Sequence, residues 1–256
     1  MKIKHNNWFK TWLNKKNLID EPNLSDFTEL KAAIHTADII LVEGRSRVSR
    51  MIRKITQSQW THSAIYIGTP AELKSSKYYY LIEKHWHGDE DTPLMLEGIL
   101  GKGTVINPLD DYLLASIRIC RPTWLTEADR QLVVDHVLSS TGTEYDLRQL
   151  FDLARFLMPF PLLPRRWRSS LFEHNTGATT KTVCSTLIAE AFEKVKYPIL
   201  PESITTEDGS IHLNHGNPKL YIPAAYDYSP YFTVLKMPLQ KISNESGYRE
   251  LPWYKK

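Results

Sequence analysis

Between Thr182 and Pro198 the chain reads TVCSTLIAEAFEKVKYP, and no other stretch limits its fold so narrowly. Leu187, Ile188, Ala191, Phe192 and Val195 recur at helical spacing and give one apolar face, with Glu190, Glu193 and Lys194 opposite. Pro198 disfavours helical angles at the residue before it, so the pattern predicts a helix running to Tyr197. Cys184 and Ser185 fall in its first turn, where backbone N–H groups point outward without helical partners. A helix N-terminus stabilises a thiolate and can hydrogen-bond an oxyanion, two requirements of acyl transfer. A buried, inert cysteine is the competing reading of the same position.

The bulk properties narrow the field. With 256 residues, 42% hydrophobic and 24% charged, the chain can bury a large core as a soluble globular protein. A formal charge of +3, with no basic run and no zinc-finger spacing, argues against a nucleic-acid partner. Two cysteines, Cys120 and Cys184, are too few for a disulfide framework and suit a reducing compartment. The opening twenty residues lack the continuous apolar centre of a signal peptide or a membrane span. A cytoplasmic protein is the expectation, with contact at a membrane periphery left open by two segments. In residues 1–20, Trp8, Phe9, Trp12 and Leu13 stand among five lysines, a basic amphipathic helix that suits an anionic bilayer surface or docks back on the domain. In residues 145–181 an apolar helix from Leu150 to Leu157 leads into MPFPLLPRRWR, which reads as an interfacial element or as a cover for the Cys184 helix.

Read in order, Ser25 and Asp26 cap a helix through Ala33, and Asp38–Glu43 forms a buried strand. Arg47–Ile55 is a basic helical turn. In HSAIYIG, alternation sets His62, Ala64 and Tyr66 on one face of a strand and Ser63, Ile65 and Ile67 on the other. His62 heads that strand, beside Trp60, where a side chain can face a cleft. Tyr78–Glu83 reads as a further strand. Leu94–Glu97 and Thr104–Ile106 make a hairpin around GILGKG, and Asn107–Tyr112 starts a short helix. Ser116–Arg121 returns to strand with Cys120 in the sheet, and Thr126 caps a helix with Leu132, Val133 and Val137 turned inward and Gly142 as its stop. Beyond Pro198 the text is polar and turn-rich until a final strand at Tyr231–Met237. This order predicts an α+β fold, a mainly antiparallel sheet packed against the helix that carries the cysteine. The expected divisions are an N-terminal arm and helix at 1–37, one domain at 38–238 containing the excursion, and a polar tail at 239–256.

THSAIYIG and TVCSTLIAEAF together resemble the circularly permuted, papain-like branch of the NlpC/P60 superfamily, the branch of the YiiX/YebB-like cysteine hydrolases with lecithin–retinol acyltransferases as distant relatives. Ordinary papain-like enzymes place the cysteine before the histidine, whereas here His62 precedes Cys184 by about 120 residues. LVEGRSRVS, TQSQWTHS, LEGILGKGTVINPLDDY, TEYDL, YPILP and PAAYDYSPYF extend the likeness from about Asp38 to Phe232. The resemblance implies a circularly permuted papain-like fold, a Cys184–His62 pair and a third residue that orients the imidazole. LEG followed by GKGTVINPL matches the family's context best and carries that third role to Glu97, with Glu83 in LIEK as its rival because this chain has extra residues from about Ala71 to Leu94.

Those residues suit a cysteine hydrolase with no cofactor. A neighbouring imidazolium and a helix N-terminus lower a thiol's pKa from about 8.5 to roughly 3.5–7.5, and the thiolate then attacks an amide or ester carbonyl. The acyl donor would be small, peptide-like or lipid-like. An acyltransferase and a catalytically silent membrane-surface module are the alternatives. A metal site built on His85 and His87 with Cys184 or His174 is a weaker reading, because HxH in a polar loop has no matching second ligand pair.

Overall fold

The fold is seen in a computed structural model that describes residues 26–99, 102–143, 184–206, 208–218 and 221–236. The basic N-terminal arm of residues 1–20, the whole 145–181 excursion and the C-terminal tail, with the readings made on them, lie outside these residues.

Six strands form one antiparallel sheet in the order β4–β3–β2–β1–β5–β8. They are β1 (Ile39–Val42), β2 (His62–Gly68), β3 (Leu94–Ile99), β4 (Gly103–Pro108), β5 (Ile117–Pro122) and β8 (Phe232–Leu235). The whole of β1 is buried, because both faces of the sheet are covered. On one face pack Phe27, Leu30 and Ile34 of and just after α1 (Phe27–Ala33), against Ile40, Val42, Ala64, Tyr66 and Met95. Asp26 caps that helix, its carboxylate accepting from the N–H groups of Thr28 and Glu29. On the other face lie α4 (Glu127–Ser139) and α5 (Cys184–Lys194), whose Val133, Val137, Leu187, Ile188 and Phe192 meet Ile39, Leu41, Ile65, Ile67 and Leu96. The expected α+β fold, an antiparallel sheet against the cysteine's helix, is therefore present.

Several local expectations are corrected. Tyr78–Glu83 is not a strand; α3 (Tyr79–His85) occupies it. Adjacent Leu81 and Ile82 are both buried while Tyr80 and Glu83 are exposed, a division that a helical face allows and strand alternation does not. Leu132 faces solvent, and the inward face of α4 is Val133, Val134, Val137 and Leu138. The Cys184 helix stops at Lys194, short of Tyr197. Lys196 takes a left-handed φ of 55°, the N–H of Lys196 donates to Glu193 O and that of Tyr197 to Phe192 O. Those two bonds and the Phe192–Tyr197 ring contact at 5.3 Å close the helix as a Schellman motif before proline has any say. The stretch after Pro198 also carries a small hairpin, β6 (Glu202–Thr205) with β7 (Ile211–Asn214), and the short helix α6 (Ala224–Tyr228). The remaining helix, α2 (Arg47–Thr56), lies where the basic turn was expected.

One buried ion pair locks the end of the sheet that bears Gly68. Asp38 is fully buried and receives Arg121 Nε at 3.0 Å, Arg121 Nη2 at 2.7 Å and the His35 N–H at 2.8 Å. Removing one partner of such a pair strands a charge in a low-dielectric interior. Arg121→Ala is therefore expected to cost about 3–5 kcal/mol in urea unfolding; a loss below about 1 kcal/mol would mean that water solvates Asp38.

Candidate active site

The strand register brings two of the sequence-predicted residues together. β2 and β3 pair Ile65 with Leu96 and Tyr66 with Met95, and continuing that register sets Glu97 diagonal to His62 on the same face. His62 Nε2 lies 2.5 Å from Glu97 Oε2. The other carboxylate oxygen, Oε1, accepts from Asn107 Nδ2 at 2.7 Å. Asn107 is in position because β4 pairs it with Met95, two residues from Glu97. Glu97 is buried, and burial by itself pushes a carboxyl up. The hydrogen bond and charge of His62, together with the Asn107 bond and the nearby Tyr112 hydroxyl, outweigh burial and hold the Glu97 pKa down at about 2. Glu97 is thus held as an anion between His62 and Asn107. Glu83, its rival, sits on the exposed side of α3.

Asn107 and Tyr112 were not singled out from the sequence. The signal for Asn107 was the hairpin itself, since the pairing of LEGI with GTVINP sets Asn107 on the face of Glu97. Tyr112 comes from the turn of 3-10 helix that follows, Leu109–Tyr112.

Cys184 opens α5, as its sequence pattern requires, and its side chain lies outside the described ones. Two anchors give the direction of that helix. Near its start, the Tyr226 hydroxyl donates to Ser185 O at 2.7 Å, and the next residue, Asp227, accepts from Trp60 Nε1 at 3.1 Å, two residues before His62. Past its end, the Tyr197 hydroxyl donates to Thr123 O at 2.9 Å, just beyond β5. Both β2 and β5 run antiparallel to β1, which pairs Ile39 with Ile65 on one side and Cys120 on the other, so Thr123 is level with the Gly68 end of β2. The helix consequently runs along β2 with Cys184 at the His62 end. By alternation His62 sides with Ala64 and Tyr66, whereas α5 packs on Ile65 and Ile67. Cys184 and His62 therefore share one end of the sheet, and the route between them goes around the head of β2 rather than across its face.

The second cysteine offers no comparable chemistry. Cys120 is a free thiol buried in β5, and burial together with the Asp227 charge pushes it well above the ordinary thiol range. His85 and His87 are exposed, and His174 lies outside the described residues. Among the described residues no group of three or more His, Cys, Asp or Glu side chains is placed to hold a metal ion. None of the described helices is long and apolar enough to cross a membrane.

An antiparallel sheet whose histidine strand precedes the cysteine's helix is the permuted papain-like arrangement. Residues 33–153 match the family described as permuted papain-like amidase enzyme, YaeF/YiiX, C92 family. Over that stretch the chain is similar to those amidases, as the sequence resemblance led one to expect, and its fold is theirs. The match includes His62, Glu97, Asn107 and Tyr112 and ends before Cys184. It supports a cysteine hydrolase in general. No curated protein matches the chain. Among solved structures, the chain is similar to one titled as the crystal structure of metalloprotein yiiX from Escherichia coli O157:H7, with 12% identity, a TM-score of 0.47, and coverage of 79% of this chain and 97% of that one.

Proposed function

We propose that the protein is a cysteine hydrolase that cleaves an amide or ester bond through a thioacyl intermediate on Cys184. The observation that supports this reading best is the His62–Glu97 pair, held by Asn107 at the end of the sheet where the Cys184 helix begins. In this reading His62 takes the thiol proton, and the Cys184 thiolate attacks the carbonyl carbon. The carbonyl electron pair moves onto oxygen, which the backbone N–H groups of the first helical turn stabilise. As the tetrahedral species collapses, His62 gives its proton to the leaving amine or alcohol. Glu97 keeps the imidazole in the required tautomer and stabilises its charged form. Water then releases the acid; an amine or alcohol in its place would make the same residues an acyltransferase. The acyl donor is peptide-like or lipid-like, and the Trp8–Lys15 arm and the Phe156–Arg168 segment are the parts of the sequence suited to bring a lipid-like one from a membrane surface.

An alkyne-bearing iodoacetamide at limiting concentration, followed by peptide mapping, tests the reading. Label is expected on the peptide containing Cys184, none on buried Cys120, and a steep fall in labelling at neutral pH in His62→Ala. Equal labelling of Cys184 with and without His62 would overturn it.

A further inference from the structure

The segment Tyr221–Asp227 touches both halves of the site. The Ser185 hydroxyl donates to Tyr221 O at 2.6 Å, and the fully buried Tyr226 donates its hydroxyl to Ser185 O at 2.7 Å. Two independent bonds thus hold the residue next to Cys184. From the same segment, Asp227 Oδ2 accepts from Trp60 Nε1 at 3.1 Å, and Arg118 Nη1 reaches Oδ1 at 2.6 Å and Oδ2 at 2.8 Å. The Arg118 guanidinium also lies over the Trp60 ring, 4.7 Å from its centre. Trp60 is itself buried, and the N–H of the following Thr61 is fixed to Val42 O. One short piece of chain therefore links the first turn of α5 to the head of the His62 strand. Stability alone is a poor reason for this network, because a partly buried ion pair can often be exchanged for apolar packing at little cost. Geometry is a better one, since thiolate formation falls off steeply as an imidazole moves away from the sulfur.

We propose that Tyr226 and Asp227 are positioning residues that set the Cys184 turn at a fixed distance from the His62 strand. The proposal rests on the reading in which Cys184 and His62 form the working pair. Tyr226 acts through Ser185, and Asp227 acts through Trp60; neither touches substrate.

The rate of iodoacetamide alkylation of Cys184 against pH, in the full chain, tests this. Wild type, His62→Ala, Tyr226→Phe and Asp227→Asn are compared, each with its thermal melt. In wild type, Cys184 should react well below the ordinary thiol range, and His62→Ala should remove that reactivity. Tyr226→Phe and Asp227→Asn should each raise the apparent thiol pKa by roughly one unit, seen as about tenfold slower alkylation at pH values a unit or more below the wild-type midpoint, with cooperative melting kept. A wild-type profile that matches His62→Ala would sink the pair itself, and the proposal with it. A low wild-type profile that Tyr226→Phe and Asp227→Asn leave unmoved, whatever their melting temperatures, would overturn the positioning role alone. Tyr226→Phe removes one oxygen and no charge, so it decides the matter if Asp227→Asn fails to fold. Failure of Tyr226→Phe itself to fold would make the residue structural and likewise overturn the proposal.

Discussion

Cys184→Ala is expected to abolish turnover and to leave the protein folded. The packing of α5 comes from Leu187, Ile188, Ala191 and Phe192, all buried, and its far end is closed by the Lys196–Tyr197 motif. None of these contacts involves residue 184, and alanine is the strongest helix former. Far-ultraviolet circular dichroism and the thermal melt should therefore change little, while hydrolysis of any substrate that the parent cleaves should drop to background. Full activity in this variant would end the assignment of the nucleophile. The loss should be close to total, because no second thiol can substitute when Cys120 is buried in the sheet.

Glu97→Gln is expected to lower kcat by about 10⁴, the cost seen when the carboxylate that orients a catalytic histidine becomes an amide. Glutamine keeps the shape and the Asn107 contact but presents no charge to the imidazole, so the wrong tautomer is no longer penalised. Glu83→Gln, on the exposed side of α3, should leave kcat unchanged, and the reverse pattern would move the orienting role to Glu83. The substitution also has a signature in stability. The Glu97 pKa is lowered from about 4.5 to about 2 on folding, so the folded state holds this carboxylate charged where the unfolded chain does not. Its contribution is fully present above about 4.5 and is lost as the pH falls from there through about 2. Urea unfolding across that window should show the wild type losing more stability than Glu97→Gln. Parallel losses would mean that the carboxylate is not held as an anion.

The sequence was most informative where one period ruled a segment. HSAIYIG alternates cleanly and gave β2 with its faces, and the pattern in STLIAEAF gave α5. The hairpin around GILGKG was legible for the same reason and carried Glu97 to its place beside His62. Tyr78–Glu83 misled because three tyrosines have strong strand propensity, while the burial of Leu81 and Ile82 side by side is a tertiary fact that overrides it. The four-residue strands β6 and β7 and the five-residue α6 are too short to show a period at all. Tyr226 and Asp227 escaped for another reason. Each gains its role from a partner distant in sequence, and no local pattern announces such a pairing.

The strand order has one more outcome. His62, Glu97 and Asn107 lie on β2, β3 and β4, three neighbours in both chain and sheet, whereas α5 and the closing strand β8 are encoded much later. Translation delivers residues in that order, and a nascent chain can assemble this hairpin-linked half while the sulfur has yet to be made. A ribosome-bound fragment would then own a proton relay with nothing to activate. Competence for acyl chemistry would arrive only with the last third of the polypeptide, at the moment β8 docks beside β5 and the sheet gains its final edge.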